Sequence, residues 1–400
     1  MADAKLEFEA KYAANGWTVE FEGITDYPGV VSTRMGGGEY GDVLLIPDVL
    51  DPADLPAFFL PTGTIEEVSK EWRGVAGGKH HEGIVYGYPT MANTNGVLYN
   101  TTLFEKAGIT KMPTTAEEFV EAMLILKADN ADNPDFVPFY TNYAAGWTLN
   151  QYAEAVNCIA GDAAYKNDVF PWDTEAFTTG AAGQAHSIMY DLVLAGVTEK
   201  DPTTTEWERS KVMLAEGDIG CMFLGGWAIS QFQAIAEGVG IDPSVVGYMP
   251  YPFTAPDGKQ YAPISTDYWL GVAANTKYPK AAQTFQEWFL KDFDYCTKAG
   301  GLIPALNDAE YPAIVKSFED NGVVFFESPV AKVEGALAEA EKMSAMGLYS
   351  PDWKGIYIEE AFAVREGRDG MTKAEVGEKL QAAWNKGVDS VIKNLGEQPK

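Results

Sequence analysis

Aromatic side chains stand beside turn residues and short polar side chains at several places in this chain. Trp147 lies in TNYAAGWTLNQY, and Trp227 lies in FLGGWAISQF, where two glycines, the second of them Gly226, come directly before the indole. The apolar C–H face of a sugar ring lies flat on an aromatic ring, while the sugar hydroxyls pair with planar polar groups. These stretches therefore predict a surface that binds carbohydrate.

Carboxylates and amides suited to sugar hydroxyls lie in two further stretches. Asp267, Tyr268 and Trp269 come just before an apolar strand in PISTDYWLGVAANT, and Asn93 and Asn95 lie in YPTMANTNGVLYN. A carboxylate accepts two hydroxyl hydrogens and an amide both donates and accepts, so these types can fix the orientation of a sugar. We expect all five residues to contact the ligand.

Two more candidates lie near the start of the chain. Tyr27 is in TDYPG, and Asp48 ends the short apolar strand predicted in GDVLLIPDVL. Each candidate also has a structural interpretation, because an Asp at a strand end commonly caps a helix and a Trp commonly fills a core. Trp288 and Trp384 lie on the apolar stripes of predicted helices, and we expect both to be core residues.

Composition limits the function. A chain of 400 residues predicts two domains, and a formal net charge of −29 argues against nucleic acid, whose phosphates need Lys and Arg. The three cysteines are widely spaced and are expected to be buried, and with only three histidines no metal site is predicted. We expect no cofactor, and no apolar run approaches the ~18 residues that would span a bilayer.

Catalytic motifs are absent from the sequence. The chain has no GxSxG, no HExxH, no Walker loop and no strand-led GxGxxG. Paired carboxylates could still cleave a glycosidic bond, because 58 acidic residues permit many pairs. A carbohydrate-active hydrolase with an aromatic cleft therefore remains the alternative to a binding protein that catalyses no reaction.

Strand and helix signals alternate along the chain, which indicates an α/β fold with largely parallel sheets. A helix is predicted in LEFEAKYAANG, a strand follows in WTVEFEGI, and a clear helix begins at PTTAEEFVEAM with Thr115 and Glu118 as a capping box. Another helix, with apolar residues on one face, is predicted in YPKAAQTFQEWFLKDF, and Thr372 and Glu375 form a second capping box near the end.

The ordered pattern of motifs resembles the extracellular solute-binding proteins of ABC importers, in the sugar-binding group that includes maltose-binding protein. The resemblance spans nearly the whole chain and rests on GIVYGYPTMANTNGVLYNTTLFEKAGITKMPTTAEEFVEAM, VMLAEGDIGCMFLGGWAI, GYMPYPF, STDYWLGVAANTKYPKAAQTFQEWFL and GGLIPALND. In the first of these, the residues that match the family are Tyr86, Gly87, Pro89, Tyr99, Asn100, Leu103, Phe104, Ala107, Gly108, Pro113 and Thr114. The family opens with a strand before its first helix, whereas this chain begins in that helix.

The resemblance implies a type II periplasmic-binding-protein fold with two α/β lobes. It places residues 1–94 plus 265–307 in an N-terminal lobe and residues 95–264 plus 308–400 in a C-terminal lobe. It implies that a neutral mono- or oligosaccharide binds between the lobes, closes their hinge and is delivered to the permease. It also implies an extracytoplasmic monomer, as a cell-surface lipoprotein or in a periplasm, with Trp227 as a stacking platform and Gly225 and Gly226 as clearance for the sugar.

Overall fold

The computed structural model describes residues 1–348 and 353–399. Its helices are α1 Ala2–Lys11, α2 Tyr27–Gly37, α3 Leu55–Phe58, α4 Ile65–Val68, α5 Thr101–Lys106, α6 Ala116–Asp129, α7 Ala155–Ala160, α8 Ala181–Leu194, α9 Trp207–Glu216, α10 Ile229–Gly238, α11 Pro279–Lys291, α12 Tyr295–Lys298, α13 Ala313–Asp320, α14 Ala336–Ser344, α15 Ile356–Arg365 and α16 Lys373–Leu395. Its strands are β1 Val43–Leu45, β2 Pro61–Thr64, β3 His80–His81, β4 Ile84–Tyr86, β5 Tyr88–Asn93, β6 Asn95–Asn100, β7 Val137–Phe139, β8 Ile219–Gly225, β9 Val246–Met249, β10 Tyr261–Val272 and β11 Val324–Glu327.

The chain divides into two compact units. The first unit holds residues 1–93 and 264–311, and the second holds residues 94–263 and 312–400. Both units combine helices with sheets, as the α/β prediction requires. The expectation of largely parallel sheets is wrong. Among the described residues, the strand pairs with a known register are antiparallel except for β7 with β8, which is parallel.

In the first unit, the central strand is the part of β10 from Ser265 to Val272. It pairs antiparallel with β1 through Val43 opposite Val272, and with β5 through Ser265 opposite Asn93. Helices α1 and α11 cover the core, where the ring of Phe8 lies 5.2 Å from that of Trp288. Trp288 is 5% exposed, which confirms its prediction as a core residue.

The second unit is built on a four-stranded sheet in the order β7–β8–β6–β9. Strand β8 is buried along its whole length, and it pairs antiparallel with β6 through Gly225 opposite Asn95. The C-terminal helix α16 fills the core with Trp384, whose ring stacks 4.2 Å from that of Phe170. Trp384 is fully buried, so its prediction as a core residue is also confirmed.

Helix boundaries follow the capping residues that the sequence shows. The complete capping box at Thr372 and Glu375 starts α16 as predicted. At α6, Thr115 accepts the backbone N–H of Glu118, but the Glu118 carboxylate accepts from Thr114, so the second half of the predicted box is displaced by one residue. The helix expected at the start is α1, but it ends at Lys11. The left-handed Gly16 instead ends the 3₁₀ helix Ala13–Asn15 that follows it.

The strand predicted in WTVEFEGI is wrong. Residues 17–24 contain no strand, and in the described part of the chain the Val19 N–H donates to the carboxylate of Glu9 and not to a neighbouring strand. Alternation of apolar and polar residues indicates which face of a strand would be buried, but a strand also needs a neighbour to pair with. The strand predicted in GDVLLIPDVL is confirmed as β1, but it ends at Leu45, so Asp48 lies beyond the strand and not at its end.

The three cysteines, Cys158, Cys221 and Cys296, are free thiols in buried positions, as expected. Across residues 1–348 and 353–399, no three His, Cys, Asp or Glu side chains come together in a group that could hold a metal ion. Among the helices of the same residues, none is long and apolar enough to cross a membrane.

Candidate functional site

The first unit brings together four polar side chains, which we call the polar set: Asp48, Lys79, Asn93 and Asp267. The end of β5 supplies Asn93, whose Nδ2 donates to Oδ2 of Asp267 on β10 at 3.3 Å. Because β5 and β10 are paired neighbours, their backbone hydrogen bonds fix this contact. The Oδ1 atom of Asn93 is buried and has no hydrogen-bond partner among the described residues, so it is free to accept a ligand hydroxyl.

The carboxyl group of Asp267 is tuned by its surroundings. Desolvation by burial raises the pKa of Asp267 above its ordinary value, and the negative charge of Asp48 raises it further. The hydrogen bond from Asn93 lowers the same pKa in part. Since burial penalises the ionised form, a hydroxyl donor from a ligand would stabilise this carboxylate more than it would stabilise one in bulk water.

Asp48 lies at the exposed edge of the polar set. Its Oδ1 accepts from Nζ of Lys79 at 2.8 Å, and its side chain is 73% exposed. An ion pair so open to water contributes at most about 1 kcal/mol to stability. The pair leaves the second carboxylate oxygen of Asp48 available, and its charge acts on Asp267 through space.

Tyr268 stands out on the surface of the first unit. Its backbone has φ of 46°, which is the left-handed region that residues with a side chain rarely adopt, and its side chain is 52% exposed. The Oγ1 atom of Thr90 donates to the carbonyls of Asp267 and Tyr268 at 3.0 and 3.1 Å and helps to hold this conformation. The turn of the backbone presents the phenol ring outward, where a ligand could contact it.

The structure corrects the expectation for Trp269. This side chain is 3% exposed and packs in the core of the first unit, where its Nε1 donates to Oγ1 of Thr266. The indole fills a slot made by Gly78, since a Cβ atom at that position would lie 1.9 Å from the ring. Trp269 therefore has no surface to offer a ligand.

Among the described residues, Tyr27 hydrogen-bonds to β1 and not to the polar set. It is the first residue of α2, and its hydroxyl donates to the carbonyl of Leu45 at 2.7 Å. Burial raises the pKa of Tyr27 to about 12. The side chain lines a cavity inside the first unit, so its proposed contact with a sugar has no support from the groups around it.

The second unit carries three indoles in mutual contact, Trp147, Trp207 and Trp227, which we call the indole cluster. The ring of Trp147 lies 5.0 Å from that of Trp207 and 5.7 Å from that of Trp227, and the last two are 5.9 Å apart. All three side chains are half-buried, so the cluster keeps aromatic surface open to solvent. Half-exposed indoles of this kind provide flat apolar area for the C–H faces of sugar rings.

The two glycines before Trp227 have a structural cause. A Cβ atom at Gly225 would lie 2.3 Å from Nε1 of Trp227, so the indole folds back onto a backbone that has no side chain. Gly226 is buried, and its N–H donates to the carbonyl of Thr94 at 2.8 Å. At Gly225, the clearance expected for a sugar is thus occupied by the indole itself.

Amide groups lie next to the indole cluster. Asn95, at the start of β6, donates from Nδ2 to Oε1 of Gln151 at 3.1 Å. Gln151 belongs to the 3₁₀ helix Trp147–Glu154, and its backbone carbonyl accepts from the hydroxyl of Tyr251. Asn95 is buried, and the same oxygen of Gln151 lies 3.4 Å from the Cβ position of Gly225. The pair therefore places hydrogen-bonding groups beside the Trp227 backbone.

Three of these residues escaped the sequence analysis: Lys79, Gln151 and Trp207. Trp207 follows the run TTTE, so the same signal that identified Trp147, an aromatic after turn and polar residues, could have found it. One face of its ring is covered by Nζ of Lys211 at 4.7 Å from the centroid. Lys79 and Gln151 gave no signal, because their partners are 31 and 56 residues away in sequence.

Comparison with known proteins identifies the family to which this chain belongs. Residues 1–292 match the family of bacterial extracellular solute-binding proteins. A multiple sugar-binding protein of Streptococcus mutans is 40% identical over 68 residues. That match spans 17% of this chain and only 15% of the length of the curated relative.

Solved structures match over a much larger share of the chain. A binding protein of an ABC transporter from Bifidobacterium animalis subsp. lactis, in complex with mannobiose, is 28% identical with a TM-score of 0.81, over 97% of this chain and 90% of that one. A manno-oligosaccharide-specific solute-binding protein of the same organism, in complex with mannotriose, is 28% identical with a TM-score of 0.81, covering 97% and 89%. RafE from Streptococcus pneumoniae, at 18% identity and a TM-score of 0.70 over 97% and 94%, shares the fold. The chain belongs to the bacterial extracellular solute-binding protein family.

Proposed function

We propose that this protein is the sugar-binding component of an ABC importer and that its ligand is a neutral manno-oligosaccharide of two or three units. The indole cluster of the second unit carries the proposal, because three half-exposed indoles in contact suit the apolar faces of successive sugar rings. The 28% identity to manno-oligosaccharide-binding proteins over 97% of the chain supports this ligand class.

Stacking supplies about half of the expected affinity. Covering ~70 Å² of one pyranose face at ~25 cal/mol per Å² gives roughly 2 kcal/mol for each ring. Two stacked rings and a few net hydrogen bonds reach about −8 kcal/mol, which corresponds to micromolar binding. A single sugar ring would use only part of the indole cluster, so we expect a disaccharide to bind more tightly than its monosaccharide.

Hydrogen bonding supplies the selectivity. In the polar set, the unpartnered Oδ1 of Asn93 and the carboxylate of Asp267 both accept hydrogen bonds, so they select hydroxyl donors. In the second unit, Asn95 and Gln151 add amide groups. We propose Asp48, Asn93, Asn95, Trp147, Trp207, Trp227, Asp267 and Tyr268 as sugar contacts, with Gly226 as their backbone support.

Delivery to a permease and an extracytoplasmic location follow from the family. We propose that the protein acts as a monomer, as a cell-surface lipoprotein or within a periplasm, and releases the sugar unchanged to the transmembrane subunits of the importer. The hydrolase alternative has less support, because the family and the similar structures are binding proteins.

Calorimetry against mannobiose, mannotriose, raffinose and mannose tests the proposal. We expect one binding site, a dissociation constant in the micromolar range or below for the two manno-oligosaccharides, and weaker binding of mannose. Prolonged incubation should release no new reducing ends from mannotriose. Absence of heat with both manno-oligosaccharides would refute the ligand class, and release of reducing ends would favour the hydrolase.

A further inference from the structure

Glu199 is a buried acidic residue of the second unit that belongs to neither the polar set nor the indole cluster. It is 6% exposed, its Oε2 accepts the backbone N–H of Thr141 at 3.1 Å, and its Oε1 accepts the hydroxyl of the same threonine. Burial raises the pKa of Glu199, and the hydrogen bonds from Thr141 lower it in part. Because a carboxyl group out of water is costly unless hydrogen bonds replace its hydration, the contact with Thr141 is what allows an acid at this position.

Two segments of the second unit lead directly to indoles of the cluster. Residues 140–146, which we call the first indole loop, come before Trp147, and residues 199–206, which we call the second indole loop, come before Trp207. The hydrogen bonds of Glu199 run from the second loop to the first. The carboxylate therefore ties the positions of the two loops to each other.

Further hydrogen bonds join the two loops. The backbone N–H of Ala144 donates to Oγ1 of Thr205 at 2.8 Å, and the N–H of Glu206 donates to the hydroxyl of Tyr140 at 2.8 Å. Each of these bonds pairs a side chain of one loop with the backbone of the other, as the bond from the Thr141 N–H to Glu199 does. Bonds of this kind fix the path of a chain that no helix or sheet ladder holds, so neither loop can shift without breaking bonds to the other.

The first indole loop is also fixed within itself. The backbone of Asn142 is left-handed with φ of 53°, and its carbonyl accepts the hydroxyl of Thr148 at 2.8 Å. The N–H of Tyr143 donates to Oγ1 of Thr141 at 3.2 Å, and the N–H of Gly146 donates to the Tyr143 carbonyl at 2.9 Å. A movement of Thr141 would therefore pass along the loop to the indole that follows Gly146.

We propose that Glu199 is a positioning residue, which sets the place of Trp147 relative to Trp207 and, given the proposed sugar-binding function, the shape of the surface on which sugar rings stack. The two rings lie 5.0 Å apart with 82° between their planes, so the flat area that they present depends on the path of both loops. Groups that contact a ligand hold their geometry only when the residues supporting them are themselves fixed by hydrogen bonds. Glu199 acts on the sugar through Trp147 and needs no contact with it.

Two substitutions at Glu199 test this role. Glu199→Met keeps the length of the side chain but accepts no hydrogen bond, so it leaves the N–H and O–H of Thr141 unpaired. We expect it to weaken mannotriose binding about tenfold and to lower the melting temperature by several degrees. Glu199→Gln is the matched variant. Its amide can accept from the Thr141 N–H and donate to Oγ1, so affinity should stay within about threefold of the wild type.

A double-mutant cycle separates positioning from a general effect on stability. In a Trp147→Ala background, Glu199→Met should cause no further loss of mannotriose affinity, because the ring through which Glu199 acts is gone. A residue that only stabilised the fold would weaken binding by the same factor in both backgrounds. Calorimetry at a temperature well below the melting transition of every variant measures the four affinities.

Fluorine NMR reports the position of the ring without sugar. The protein is labelled with 5-fluorotryptophan, and Trp147→Phe identifies the resonance of Trp147. Glu199→Met should shift or broaden that resonance, and Glu199→Gln should leave it near its wild-type position. Asp168→Leu is the control, since it removes another buried carboxylate of the second unit, which accepts the Lys332 N–H at 2.9 Å, and it should leave the Trp147 resonance in place.

The fluorine signal decides the role of Glu199 even if no manno-oligosaccharide binds, a result that would refute the proposed function alone. An unchanged Trp147 resonance in Glu199→Met would overturn the positioning role. So would an equal loss of affinity in the Trp147→Ala background, or a loss in Glu199→Gln as large as that in Glu199→Met. If Glu199→Met does not fold, Thr141→Val removes the hydroxyl contact and keeps the backbone contact, and it must shift the same resonance for the positioning role to stand.

Discussion

The polar set and the indole cluster differ in almost every physical property that matters for a ligand. The polar set places two carboxylates, an ammonium group and an amide on the first unit, with partners 2.8 to 3.3 Å apart. The indole cluster offers rings about 5 to 6 Å apart on the second unit, and the ammonium group of Lys211 covers one face of Trp207. One surface is directional and pH-sensitive, whereas the other is flat and non-directional.

Because of this difference, we expect the indole cluster to set the affinity for sugars and the polar set to set the selectivity among them. Stacking energy scales with the apolar area covered, so the indole cluster should hold many sugars of similar shape. Hydrogen bonds to a partly desolvated carboxylate depend on where each hydroxyl points, so the polar set should discriminate between them. Substitutions in the two sets should therefore give different patterns across a panel of sugars.

The largest effect is expected at a tryptophan that belongs to neither set. Trp269→Ala should lower the free energy of unfolding by ~3–5 kcal/mol, because it empties the slot over Gly78 in the core. Chemical denaturation measures this directly. Trp269→Phe is the matched control and should lower the free energy of unfolding clearly less. If the Trp269→Ala protein had normal stability but had lost sugar binding, Trp269 would be a ligand contact after all.

The next effect tests the indole cluster. Trp227→Ala should weaken binding of manno-oligosaccharides by about 2 kcal/mol, or roughly thirtyfold, through lost stacking area. Calorimetry across the sugar panel should show a similar loss for every ligand that stacks. Tyr278→Ala, at an aromatic that is 64% exposed outside both sets, should leave affinity unchanged. Loss for one sugar alone would assign Trp227 a selective role instead.

The smallest effect at neutral pH should come from Asp48. Asp48→Asn should change affinity by less than about threefold, since the side chain is exposed and paired with Lys79. Its effect should appear in the pH dependence. Because Asp48 raises the pKa of Asp267, removing its charge should lower that pKa and move the loss of sugar binding on acidification to lower pH.

The raised pKa of Asp267 should also affect how the free energy of unfolding changes with pH. A carboxyl whose pKa is higher in the folded than in the unfolded protein binds more protons when folded, so the stability it contributes is lost as pH rises through the window between the two values. Asp267→Asn should remove this contribution to the pH dependence of sugar binding and to that of the free energy of unfolding. Titration of the Asp267 carboxyl by NMR in the wild type and in Asp48→Asn should show the lower pKa, and an unchanged pKa would contradict the coupling.

Local signals in the sequence predicted local structure well. The capping box at Thr372 and Glu375 acts within one helical turn, and the apolar stripes that marked Trp288 and Trp384 as core depend only on helical spacing. The alternating order of helices and strands indicated the α/β class but not strand direction, because direction depends on which strands become neighbours.

The errors came from contacts between distant parts of the chain. Trp269 was predicted to contact the ligand because no residue near it in sequence indicates that its ring is buried. The space for the ring is provided by Gly78, in a loop almost two hundred residues earlier. The segment 17–24 has the alternation of a strand, but no strand among the described residues pairs with it. Trp207 was missed although its local signal equals that of Trp147, and only the structure shows their rings 5.0 Å apart.

Gly225 has no side chain, and adding one at this position is expected to alter the indole cluster beside it. Because a methyl group there would lie 2.3 Å from the Trp227 indole, Gly225→Ala would push that ring away from the strand beneath it and toward solvent. Trp147 and Trp207 both contact Trp227, so moving the Trp227 ring would also change the positions of their rings and hence the shape of the indole cluster. We therefore expect Gly225→Ala, which adds a single carbon at a buried position beside the indole cluster, to change which sugars the proposed site binds.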